Sequence, residues 1–242
     1  MSDKETGMKL GLLLCDDVMA PLQGEFGGYQ QMFTRLLQQV CPDLVLTVYD
    51  VRRGEFPQNP DENLGYLTSG SACGVNDDLP WLAELEAFIR LLAQQQKKLV
   101  GICFGHQLLA KVLGGKVECS QRGWGIGVSF NDIRADKPWM VPASKAIDLV
   151  ACHQDQVISL PPGAEVLAAS RFCPLYMVQF TEHLLGIQGH PEFPKAYVAA
   201  LMEKRRDKIP AHRIREGLAS LDAGVDDIAV ARWIINFIQD GW

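Results

Sequence analysis

Two short stretches of this chain carry residue types that could do covalent chemistry. The first is Leu99-Val100-Gly101-Ile102-Cys103-Phe104-Gly105-His106-Gln107-Leu108-Leu109, where a cysteine stands between two glycines as an apolar strand runs into an apolar helix. A sharp strand-to-helix turn needs unusual backbone angles and small neighbours. It presents the thiol at the helix N-terminus, where the dipole and unpaired amides favour a thiolate. The second is Leu185-Gly186-Ile187-Gln188-Gly189-His190-Pro191-Glu192-Phe193, a short buried run ending in a histidine, a proline and a carboxylate. Residues two apart on extended backbone point to one side, so Glu192 can turn toward His190 while Pro191 limits the chain between them. A thiol, a base for its proton and a third group to hold the base's tautomer are what attack on an amide carbonyl requires. Taken singly, each stretch also has a plain reading: Cys103 as a small buried hydrophobe, and the HPE as a solvated strand end.

The elements needed to bring them together are legible as alternating strand and helix signals. A continuous apolar run over 10–14 predicts a buried parallel strand, followed by a polar loop over 16–28 whose Asp16, Asp17 and Glu25 read as solvated acids. A helix over 29–40, a strand over 44–49 and a Pro- and Asn-bearing loop to residue 64 follow. After Tyr66-Leu67-Thr68 comes the turn Ser69-Gly70-Ser71, then a helix over 79–96 with Trp81, Leu82, Leu85, Phe88, Ile89 and Leu92 at helical spacing, read as core packing. Gly114-Gly115 ends the helix after Cys103. Short strands over 117–119, 125–130, 147–152, 165–169 and 175–180 predict antiparallel hairpins on one edge, with Trp124 read as a packing residue that could also wall a pocket. From 194 the pattern is helical, and the charged 204–208 reads as a solvated face.

In that order and context the sequence resembles the class I glutamine amidotransferases, from Lys9 to about Phe193. The motifs that carry the resemblance are the cysteine elbow, Thr68-Ser69-Gly70-Ser71, Cys152-His153-Gln154-Asp155 and the HPE. It implies an α/β fold with an open, mostly parallel, flavodoxin-like sheet flanked by helices, and a catalytic triad of Cys103, His190 and Glu192 that forms a γ-glutamyl thioester. An oxyanion would be met by the amide of Phe104 and by the loop at Ser71, where the family usually carries a second glycine. Gly70, Gln107, Gln154 and Asp155 would bind the substrate. Neither cofactor nor metal is implied. The small-molecule substrate is glutamine or a γ-glutamyl compound, with ammonia passed to a separate synthetase partner or an amine released to water by a stand-alone hydrolase. Gln188-Gly189 before the HPE is as in stand-alone relatives resembling plant γ-glutamyl peptidases, and the missing side chain at 189 is expected to open space beside His190. A silent binding subunit, or a cysteine enzyme of the isomerase or chaperone type, are the other classes, and neither needs the HPE pair.

Length and composition set limits. At 242 residues and 48% hydrophobic content, one domain over 1–242 is expected, with 1–7 disordered and 194–242 a helical extension packed on it. A net charge of −6 with scattered lysines and arginines disfavours nucleic acid. The absence of a long apolar run disfavours a membrane span, and the polar start is unlike a secretory leader; a cytoplasmic location is expected. Seven cysteines without a C-x-x-C pair point to free thiols. His106, His183 and His212 read as structural or surface residues, and His153 as either pocket wall or strand end.

Overall fold

The computed structural model describes residues 7–239. Its strands are β1 (Lys9–Leu14), β2 (Val45–Asp50), β3 (Gly65–Thr68), β4 (Lys98–Ile102), β5 (Lys116–Cys119), β6 (Gly125–Ile133), β7 (Ala146–His153), β8 (Asp155–Ser159), β9 (Glu165–Ala169), β10 (Met177–Thr181) and β11 (Leu184–Ile187). The helices are α1 (Ala20–Phe26), α2 (Tyr29–Gln38), α3 (Pro80–Gln94), α4 (Phe104–Val112), α5 (Lys195–Lys204), α6 (Ala211–Ser220) and α7 (Asp227–Gln239).

Nine strands form one sheet in the order β2-β1-β3-β4-β11-β10-β9-β6-β7. Its first five are mutually parallel, and the last four continue it antiparallel. The expected edge hairpins are therefore an extension of the main sheet, while β5 and β8 pair separately. The inner parallel strands are apolar on both faces because both are covered. Leu10, Leu12, Val100, Ile102, Leu185 and Ile187 pack on the side of α2 and α7; Leu13, Leu99 and Leu184 pack on the side of α3 and α4. Trp233, Ile234, Phe237 and Ile238 of α7 are buried in the first of these layers, so the C-terminal helix is part of the core.

Two elements differ from the sequence expectation. The stretch 16–28 contains α1, which turns only Leu22 and Phe26 inward, too few apolar residues for a period to be read. Residues 155–159 form β8 beside β5, a strand absent from the sequence expectation. Of the segment 1–7, only Gly7 is among the described residues. No helix among them is long and apolar enough to cross a membrane, they contain no cluster of metal-ligating side chains, and all seven cysteines are free thiols.

Candidate active site

The ends of β1, β3, β4 and β11 open on one side of the sheet, the carboxyl side, where loops of open α/β sheets surround ligands. Cys103 follows β4 and caps α4 with φ 51° and ψ −98°, a conformation that stores strain of about 1–3 kcal/mol in a non-glycine residue. Its amide is held by the Ile187 carbonyl at 2.8 Å. The unusual angles fall on the cysteine itself, not on the glycines, which are needed for close approach. A Cβ on Gly101 would come within 2.5 Å of the Gly105 carbonyl carbon, and one on Gly105 would run into Thr68 Oγ1. Phe104 opens α4, where the first amides lack intrahelical acceptors.

His190 lies just past β11, and its backbone amide donates to the Val150 carbonyl of β7 at 2.8 Å. Nδ1 lies 2.7 Å from Glu192 Oε1, so the ring donates there and keeps Nε2 free to accept, with the Cys103 sulfur close enough to act on its charge. Burial pushes the imidazole down, but the Glu192 carboxylate and the Cys103 sulfur outweigh it and lift His190 above its ordinary value. The ring is stacked on Phe193 with centroids 3.8 Å apart and planes within 5°. Gly70 is on it too: a Cβ there would sit 2.7 Å from His190 Cε1. Gly70→Ala is expected to push the imidazole off its stack and lower kcat about a hundredfold, as a misplacement of about 1 Å does. Wild-type rates in a folded Gly70→Ala variant would show that the ring has slack.

Cys103 and Phe104 border a cavity of about 330 Å³ whose walls also include Ser71, Trp124, His153, Gln154, Asp155 and Arg205. Asp77 and Asp155 converge at one end, their carboxylates both within 3.5 Å of the position a Cβ of Gly74 would take. Burial, and then the Asp77 charge, raise Asp155 from its ordinary value. Beside these, the Gln154 carbonyl accepts from the Ser120 amide and that of Asp155 from Gln107 Nε2 at 2.8 Å. Ser71 is in the wall, with its hydroxyl accepting from the Cys73 amide. Asp16 holds the same loop by accepting from the Ala72 amide, and Asp17 accepts from the amides of Val18 and Tyr29; both are structural acids.

Arg205 and Gly189 depart from expectation. Arg205 does not lie on a solvated face: it borders the cavity and donates to Cys152 Sγ at 3.3 Å. Gly189 opens no space beside His190, because the place of its missing Cβ is filled by the Tyr176 hydroxyl. Trp124 borders the cavity while Arg213 grips its carbonyl. His106 is wholly buried beneath Gly186, and burial pushes it down to about 3. His153 is pocket wall, and burial pushes it down to about 4. Gln188, passed over in the sequence as a site residue, donates to Cys103 Sγ at 3.5 Å and accepts from Gln107 at 3.2 Å.

Residues 61–199 match the class-I glutamine amidotransferase family. The chain is 35% identical to gamma-glutamyl peptidase 5 of Arabidopsis thaliana over 74% of its own length and 73% of that protein. It is 42% identical to a glutamine-hydrolyzing GMP synthase of Thermomicrobium roseum, covering 88% of this chain but 43% of that one. Among solved structures, a glutamine amidotransferase from Thermotoga maritima superposes with a TM-score of 0.74 over 98% of both chains at 18% identity, a likeness of fold.

Proposed function

The chain belongs to the class I glutamine amidotransferases, and from that premise we propose that it hydrolyses γ-glutamyl amides through a thioester on Cys103. The observation that carries this reading is the placing of Cys103, which lines the polar cavity, against a His190 that is itself bonded to Glu192. His190 takes the thiol proton while Glu192 keeps Nδ1 protonated, and the sulfur adds to the γ-carbonyl. The oxyanion that forms is met by the Phe104 amide and by the loop at Gly70 and Ser71. His190 then protonates the departing nitrogen, and a water deprotonated by His190 cleaves the thioester to glutamate. Asp77 and Asp155 suit the substrate ammonium, with Gln107 and Gln154 beside them. The test is glutamate release from a panel of γ-glutamyl compounds, with labelling of Cys103 by a glutamine-derived diazo-ketone. Labelling that glutamine protects against supports the reading. An intact fold that is neither labelled nor active makes it a silent binding subunit.

Arg205 favours a γ-glutamyl amino acid or peptide over free glutamine. Among the described residues it has no carboxylate partner. It lies against Cys152 and borders the same cavity as Cys103, within which the leaving group must sit. An amino acid leaving group brings a carboxylate there, and ammonia does not. The relationship to gamma-glutamyl peptidase 5 supports the same choice, and a separate synthetase that consumes ammonia is the alternative. Arg205→Met is expected to raise KM for γ-glutamyl amino acids about tenfold or more, the value of a charge-assisted hydrogen bond, with little change for glutamine. Equal effects on both substrates would remove the assignment.

A further inference from the structure

We infer that Gln188 is a positioning residue for the nucleophile: an amide relay from the Asp155 carbonyl through Gln107 to Gln188 aims a hydrogen-bond donor at Cys103 and orients its sulfur for attack. The inference rests on the reading of Cys103 as the nucleophile.

The direction of the relay follows from its donors. The Gln107 side-chain nitrogen carries two hydrogens and has two acceptors, the Asp155 carbonyl at 2.8 Å and Gln188 Oε1 at 3.2 Å. Gln188 thus accepts through its oxygen and turns its NH2 to the opposite side, where Cys103 Sγ lies 3.5 Å away. A reversed Gln188 would set two amide nitrogens face to face and press a carbonyl oxygen against the sulfur. The backbone of Gln188 is pinned as well, its amide donating to the Tyr176 carbonyl at 2.8 Å. Gln188 is fully buried and Gln107 nearly so, so water does not compete for these bonds and a donor to a charged sulfur is strong there. Because Gln107 supplies no contact to sulfur of its own, its part is to fix which end of Gln188 faces Cys103.

The other titratable groups that face Cys103 are His190 backed by Glu192, Cys152 of β7 with Arg205 beside it, and Cys173 ahead of β10. None is altered by the variants below. The experiment measures iodoacetamide alkylation of Cys103 across pH, resolved by mass at the peptide that carries it so that exposed thiols such as Cys119 do not intrude. Gln188→Leu is expected to raise the pH midpoint of alkylation by about one to two pH units, the worth of one hydrogen bond to a charged group. Gln107→Leu is expected to raise it in the same direction, because Gln188 is then free to rotate. Gln188→Glu keeps the size of the side chain and sets a carboxylate against the sulfur, so it carries the test if the leucine variant does not fold. The low-pH limb of kcat/KM should move with the alkylation midpoint. Unmoved midpoints in folded variants would overturn the relay. Alkylation needs no substrate, so absence of γ-glutamyl turnover in the wild type defeats the proposed function alone; Cys103-dependent turnover with an unmoved midpoint defeats the relay alone.

Discussion

Cys103→Ala is expected to lower the rate of glutamate release by about a millionfold, because removing the nucleophile of a comparable triad forfeits nearly all of its advantage. The comparison is clean for a structural reason. The cysteine sits at φ 51° whichever small side chain it bears, so alanine meets the same backbone strain and the fold is kept. The variant keeps the cavity and both acids at its end, and it should therefore still bind the substrate with little change in affinity. The measurement is single-turnover glutamate release from the best γ-glutamyl donor, alongside binding of the same compound by calorimetry. Residual activity above about a hundredth of wild type, well beyond the loss expected for such a triad, would mean that another group attacks the amide.

The second large effect separates His190 from Glu192. His190→Ala removes the proton carrier beside Cys103 and is expected to cost about as much as loss of the nucleophile, since such groups act as a unit. Glu192→Gln should lose about ten-thousandfold, for a reason in the tautomer. A glutamine whose NH2 donates to Nδ1 leaves the imidazole protonated at Nε2, the nitrogen that must accept from sulfur. It also removes the carboxylate that opposes the effect of burial on His190, so the imidazolium formed on proton transfer is left uncompensated. Glu192→Gln as damaging as His190→Ala would argue that the carboxylate handles a proton itself, and rates within tenfold of wild type would take Glu192 out of the reaction.

What the sequence makes legible follows from how local each signal is. The elbow and the HPE are contiguous, and their chemistry is decided within a few residues, so their meeting beside a cavity was readable once the strands around them were recognised as parallel. Gln188, Arg205 and Tyr176 carry no such signal. A glutamine before Gly189 is an ordinary residue until Gln107, 81 positions away, sets which end of its amide faces the thiol. Arg205 sits in a run of charge whose other members are exposed, and only the docking of α5 turns it into the cavity. Gly189 shows the limit most plainly: a missing side chain suggests room, yet the tyrosine that fills it comes from a loop 13 residues earlier.

β7 is the last strand of the nine-stranded sheet, yet its Val150 carbonyl accepts from the amide of His190, which follows β11 near the sheet's middle. The antiparallel half therefore curls round and is fastened to the segment that bears the imidazole, so a strand that would otherwise expose unpaired edge groups is partly closed by it. The placing of the imidazole is therefore tied to the far edge strand: loosening β7 would release the backbone of His190 even with its ring contacts unchanged.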